Sequence, residues 1–136
     1  MNTTITLVAT IVGGAITFSL GQFIMKACLE PALQLKQQIG KIAHDLDFYA
    51  NQMYEDAPQG KEARETFRKH ACELRKTINT IIWYKFLEYV ISLPSSTDVL
   101  DASCQLIGHS NFPAKHDPAV DKTRDPEIKR LLKIKT

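Results

Sequence analysis

The chain has 136 residues, with 17 Lys and Arg against 15 Asp and Glu, 44% hydrophobic residues and a mean hydropathy of -0.17. That balance disfavours a disordered polyelectrolyte and a histone-like nucleic-acid binder, because the first cannot build a core and the second needs a large cation excess. Only 6 Gly and 6 Pro rule out a collagenous chain, and three cysteines, Cys28, Cys72 and Cys104, are an odd number that argues for reduced, cytosolic thiols over a disulfide framework.

The first element is an anomaly. Thr3 to Met25 carries no charged residue, and at the helical rise its length of about 34 Å matches the hydrocarbon core of a bilayer. A transmembrane helix is expected over 1-26. A cleaved signal peptide would have a basic leading segment and a shorter apolar run, so a retained anchor is the reading. Lys26, Lys36 and Lys41 all follow the span, which by the positive-inside rule predicts an outward N-terminus and a cytoplasmic body.

Within the span, Ala9, Gly13, Thr17 and Gly21 recur every four residues and stack on one helix face. Thr3, Thr10 and Thr17 recur every seven, joined by Thr6, Gly13 and Gly14. Small residues let backbones approach and hydroxyls can bond across helices, so parallel self-association is expected. Two readings stay open: plain packing against a partner helix, or a narrow wet lumen faced by Thr3, Thr6, Thr10, Thr17 and Gln22.

A cytoplasmic α-helical domain is expected over 27-112. Pro31 suits a first-turn position or a kink at the membrane exit. A second helix, about 31 to 56, carries Leu35, Ile39, Ile42, Leu46, Tyr49 and Met53 on one face. Asp56-Ala57-Pro58-Gln59-Gly60 reads as a turn that reverses the chain. A third helix, about Lys61 to Ser92, would bury Phe67, Ala71, Leu74, Ile78, Ile81 or Ile82, Phe86 and Val90. Ser95 to Asp98 then start a fourth helix ending near Gly108, with Val99, Leu100, Ala102, Cys104, Leu106 and Ile107 as its apolar residues. The fold class is therefore all-α: a transmembrane helix, an antiparallel helical hairpin, a short further helix, and closure favoured by oligomerisation.

Residues 113-136 form a basic tail with three prolines (Pro113, Pro118, Pro126) and seven Lys or Arg against four Asp or Glu, a net of +3. Ile128, Leu131 and Leu132 interleave with Lys129, Arg130, Lys133 and Lys135, giving a short amphipathic helix that either lies on anionic lipid or docks on its own body.

Chemistry is sparse. His70 and Cys72 sit two apart, about 200° around a helix, and no second pair accompanies them, so neither a metal nor any other cofactor is expected. His44, His109 and His116 and the serines and cysteines lie in no nucleophile motif, so no catalytic residue is assigned and an enzyme is not expected. Cys28 sits where juxtamembrane acylation occurs, with a buried thiol as the simpler reading. Arg64, Arg68, Lys69, Arg75 and Lys76, followed by Trp83, Tyr84 and Lys85, form the candidate ligand-binding set: charge plus stacking can hold a nucleotide or short single-stranded nucleic acid. Glu62, Glu65 and Glu73 share that stretch and offer ordinary ion pairs, and Trp83 and Phe86 can equally be core.

Glu30-Pro31, Ile39-Gly40-Lys41-Ile42-Ala43-His44-Asp45-Leu46, Phe48-Tyr49-Ala50-Asn51, Leu106-Ile107-Gly108 and Ser110-Asn111 resemble a group of small bacterial proteins with one N-terminal membrane span and a helical cytoplasmic part. Their build is similar to that of membrane effectors of bacterial anti-phage systems, in which a cytoplasmic domain senses a nucleotide or oligonucleotide and the spans compromise the inner membrane. Together with the Gly and Thr seam, the resemblance implies a homo-oligomeric effector or channel-like protein in a bacterial inner membrane, with a tetramer as one candidate assembly and the subunit number left open; it carries no catalytic residue across. The competing expectation is a membrane-tethered adaptor that holds a cytoplasmic protein partner.

Overall fold

The computed structural model describes residues 2–50, 58–111 and 124–134, and these are helical with no strand among them. The end of the expected second helix, with Met53, the first two residues of the expected turn, Asp56 and Ala57, and the tail segment carrying Pro113, His116 and Pro118 lie outside the described residues.

Helix α1 (Asn2–Ile24) buries none of its residues and is long and apolar enough to cross a membrane. It does not stop at the expected membrane exit. One π-helical turn (Met25–Leu29) joins it to α2 (Glu30–Phe48), so a single helix of 47 residues runs from Asn2 to Phe48. Pro31 explains the junction. Its ring would meet the carbonyl of Ala27 in a regular α-helix, and the wider turn just before it moves that carbonyl aside without breaking the rod.

Helix α3 (Pro58–Thr80) begins inside the expected turn. Pro58 needs no amide partner in a first helical turn, so it starts the helix where a loop was anticipated. Its stripe of Ala63, Phe67, Ala71 and Leu74 is buried against Leu35, Ile42 and Leu46 of α2 and Val99, Ala102 and Leu106 of α5 (Ser96–Ser110). Phe67 sits at the centre, edge-on to Tyr49 at 6.2 Å and 5.4 Å from the His109 ring. Ser95 caps α5, its hydroxyl accepting from the Asp98 amide at 3.0 Å. The helix passes the expected stop at Gly108, where the missing side chain admits the Arg124 guanidinium; a Cβ there would lie 2.9 Å from its Nη1.

The largest departure from expectation is the break at Ile81–Trp83. Trp83 adopts a left-handed backbone (φ 59°) and opens a separate helix, α4 (Tyr84–Ile91), which Ser92 closes with a second left-handed residue (φ 54°). A non-glycine residue in that region costs about 1–2 kcal/mol. The break shifts the helical phase, so Tyr84 and Leu87 turn inward while Phe86 and Val90, expected in the core, are exposed together with Trp83. Leu100 and Cys104 of α5 are likewise exposed.

The last element, α6 (Arg124–Leu131), lies on the body: Ile128, Leu131 and Leu132 are buried in the same core. Lys129 pairs with Asp47 at 2.7 Å, and Lys133 donates to the Leu93 carbonyl at 2.9 Å. Of the two readings of the tail, its apolar face is used by docking, leaving that face nothing to insert into lipid.

Candidate functional site

The span seam comes first. Thr3, Thr6, Thr10, Gly13, Gly14, Thr17 and Gly21 are all exposed on α1, and nothing in the chain lies within 4 Å of where a Cβ would stand on Gly13, Gly14 or Gly21. The seam has no partner within the described residues, which is the geometry a helix needs to meet another copy closely. The hydroxyls are not idle, however. Thr6 donates to the Asn2 carbonyl at 2.9 Å, Thr10 to Thr6 at 2.8 Å and Thr17 to Gly13 at 2.9 Å. Back-bonding of this kind satisfies the donors inside the helix, so they need no water to be stable at membrane depth.

The five candidate cations do not form one site. Arg68 donates to Asn111 Oδ1 at 2.8 Å, and Arg75 to Ser103 Oγ at 2.8 Å and Cys104 Sγ at 3.2 Å, so both are spent holding α5 against α3. Arg64 and Arg68 share a cleft with Lys61, Glu65 and Ser110. That cleft lies where the start of α3 meets the end of α5, and the Arg68 in it is held by Asn111. Lys69 is exposed on the outside of α3, and Tyr84 is buried with its hydroxyl on the Pro94 carbonyl at 2.8 Å, so the expected stacking pair of Trp83 and Tyr84 is split. Burial, helped by Glu88 and Asp98, pushes the Tyr84 phenol up to about 12.

Lys76 falls elsewhere, in a cleft of about 320 Å³ between α2 and α3 lined by Gln34, Gln37, Gln38, Lys41, Glu73, Lys76, Thr77 and Thr80. Its two ammonium groups and the exposed Gln34 and Gln37 carboxamides face it as donors, with Glu73 as its one carboxylate; the Thr77 and Thr80 hydroxyls donate to the Glu73 and Lys76 carbonyls, each at 2.9 Å, and Gln38 is held by His70. One wall of this cleft belongs to the helix that continues into α1.

At the floor of the same interface lies a polar chain that sequence reasoning missed. Gln38 Nε2 and His70 Nδ1 are 2.7 Å apart, His70 Nε2 and Asp45 Oδ2 2.7 Å, and His44 Nδ1 and Asp45 Oδ1 2.9 Å. With the Gln38 amide donating to Nδ1, His70 donates its Nε2–H to Asp45 in a hydrogen bond. Burial pushes the Asp45 carboxyl up, but the hydrogen bonds and charge of His44 and His70 outweigh it and hold the group below the usual aspartate value. The signal was present: His70 follows Ala63 and Phe67 on the buried row, and Gln38 and Asp45 sit on the inward side of α2. Cys72 points outward from α3 and Cys28 is buried, only 4% exposed, so its thiol is closed to solvent in this conformation.

No protein-family model matches the chain, and neither a curated protein nor a solved structure matches it. What the fold defines is an all-helical protein with one candidate membrane-spanning helix near its N-terminus.

Proposed function

We propose that the protein is a self-associating, single-span membrane effector whose helical body senses an anionic ligand and passes that state to its span. One observation carries the reading: the helix that would cross the membrane also forms a wall of the Lys41 and Lys76 cleft, without a loop between. A ligand that draws Lys41 of α2 and Lys76 of α3 together alters the tilt or rotation of a rod about 70 Å long, at the helical rise. A flexible linker at residues 25–30 would have absorbed such a motion; the π turn transmits it, with some local compliance. The exposed Gly13, Thr17 and Gly21 row supplies the surface on which copies meet, with the N-terminus outside and the body in the cytoplasm.

The ligand class follows from the lining. Two lysines and the exposed Gln34 and Gln37 carboxamides suit a phosphate-bearing small molecule such as a nucleotide, and the cleft replaces the five-cation set expected from sequence. A bacterial inner membrane and a role in anti-phage defence rest on likeness of build alone.

The test is the mass of the full chain in nanodiscs, followed by dye release from loaded vesicles with and without a panel of nucleotides. A discrete tetramer or larger ring whose leakage responds to one of them, and loses that response in Lys41→Glu or Lys76→Glu, supports the proposal. Replacing Gly13, Thr17 and Gly21 together by Leu should abolish assembly and leakage while the body stays folded. A monomer or dimer that never leaks overturns the effector reading and leaves a tethered adaptor for a cytoplasmic protein.

A further inference from the structure

The break at Ile81–Trp83 leaves Trp83, Phe86 and Tyr89 exposed by 65%, 64% and 89%, beside the half-open Ile82 and Val90. Single exposed apolar residues need no explanation, but five between Ile82 and Val90, around a helix that left-handed Trp83 and Ser92 bound, do. The neighbouring helices fix where that segment sits. Tyr49 of α2 meets Phe67 of α3, whereas Gln34 shares its cleft with Thr80, so α3 climbs back toward the start of α2 as α2 descends. Helix α5 descends again, since Arg75 meets Ser103 and Arg68 meets Asn111. Helix α4 therefore lies at the end of the bundle from which α1 departs. Gln34 is eight residues past Lys26, about 12 Å along the axis, and the Ile81–Trp83 break continues from Thr80 toward the span.

We infer that α4 is a membrane-interface anchor: Trp83, Phe86 and Tyr89 dip into the boundary between headgroups and acyl chains, beside the point where the span enters. The inference rests on α1 crossing the bilayer. Its occupant is lipid because the composition is that of an interfacial belt. Trp and Tyr, with an apolar body and a polar edge, prefer that layer to either water or hydrocarbon. Lys85 on α4 and Lys26 at the end of the span suit anionic headgroups, with Glu30 and Glu88 as the opposing charges, while Lys133 in the same cleft as Lys85 is held on the Leu93 carbonyl. Tyr84 and Leu87, on the opposite side of α4, hold it to the body. The chain thus meets the membrane twice, and the body is fixed in orientation beneath it instead of swinging on one helix.

Trp83 is the chain's single tryptophan, so its fluorescence reports this contact alone. The full chain is reconstituted into phosphatidylcholine and phosphatidylglycerol vesicles carrying lipids brominated either near the glycerol or near the chain end, and alkaline carbonate extraction is run in parallel. The expected result is a blue-shifted Trp83 quenched about twofold more by the shallow bromines than by the deep ones, the depth preferred by interfacial aromatics. Phe86→Ser with Tyr89→Ser, both at exposed positions, should reduce that quenching and leave carbonate resistance unchanged. Resistance to carbonate with Trp83 open to aqueous iodide, or quenched more by deep bromines, overturns the anchor and leaves the span intact. Trp83 shielded from lipid and water alike, and uncovered on dilution into more lipid, assigns the face to a second copy and also overturns it. Release by carbonate overturns the span and the anchor with it.

Discussion

The two halves of one continuous helix are built for different surroundings. In α1, Ile5, Val8, Val12 and Ile16 on one side and Leu7, Ile11 and Phe18 on another are all exposed, and none is buried against the other described residues. In α2 the apolar residues shrink to a stripe, Leu35, Ile42 and Leu46, and every one of these is buried against α3 or the core behind it. A helix apolar all round wants an apolar solvent, whereas a striped one wants a neighbour. The change of pattern falls at the π turn, so the same rod passes there from an unpartnered apolar helix to one side of a bundle.

The sharpest way to break the comparison is to remove one large side chain from each region. Phe67→Ala leaves a cavity among Tyr49, His109 and the α5 residues, and should cost the body about 3–5 kcal/mol. Ile11→Ala, in α1, should leave the thermal transition of the body unchanged within error, because nothing in the bundle touches it. Both are read by the helical circular dichroism transition in detergent. Equal losses in the two variants would mean that span and body unfold as one unit.

The polar chain between α2 and α3 sharpens the contrast by a smaller amount. Asp45→Ala removes the acceptor for the buried His70 Nε2, and a buried donor left without its partner costs about 1–3 kcal/mol. The same carboxyl sets an acid limit. Its folded pKa is below its unfolded one, so the folded state holds fewer protons, and the stabilisation is complete above the unfolded value and lost as pH falls through the folded one. Urea midpoints of the protein should therefore drop on acidification more steeply than those of Asp45→Asn, while vesicle retention of α1, which has no titrating side chain, stays flat.

Much of this was legible because burial in helices repeats at a fixed spacing. The uncharged run, the Leu35, Ile42 and Leu46 stripe, the Ser95 cap and the Ile128, Leu131 and Leu132 face could be read directly, and each lies on a helix the structure describes. Phe86 and Val90 could not, because a left-handed Trp83 resets the helical phase, and no glycine or proline marks the spot. The scatter of Arg68, Arg75 and Lys76 was hidden for a related reason. Charges on a helix are assigned to faces only once the neighbours are known, and α5, packed along α3, claims the two arginines while α2 borders the lysine. The π turn also left no mark beyond Pro31, which suits a kink equally well. His70 stands on the buried row in plain view, but in sequence it is weighed only with Cys72 as a metal pair, and nothing in the chain order says that Gln38 and Asp45 meet its two nitrogens.

The smallest expected effect separates the end of the body nearest the span from its middle. Tyr84→Phe removes only the hydrogen bond to the Pro94 carbonyl, so α4 should loosen from the start of α5 by about 1 kcal/mol. The phenol is raised from an ordinary 10.0 to about 12. The folded state then keeps its proton longer than the unfolded one, and the stabilisation is present below 10, fading as pH rises toward 12. The protein should lose stability over that alkaline interval relative to Tyr84→Phe, by the same urea midpoints, and amide exchange in α4 should quicken before exchange in α3. If α3 and α4 open together, the left-handed break at Trp83 divides the helices in shape but not in stability. If α4 opens first, the segment carrying Trp83 and Phe86 moves on its own, and α4 can seat at a membrane surface without disturbing Phe67.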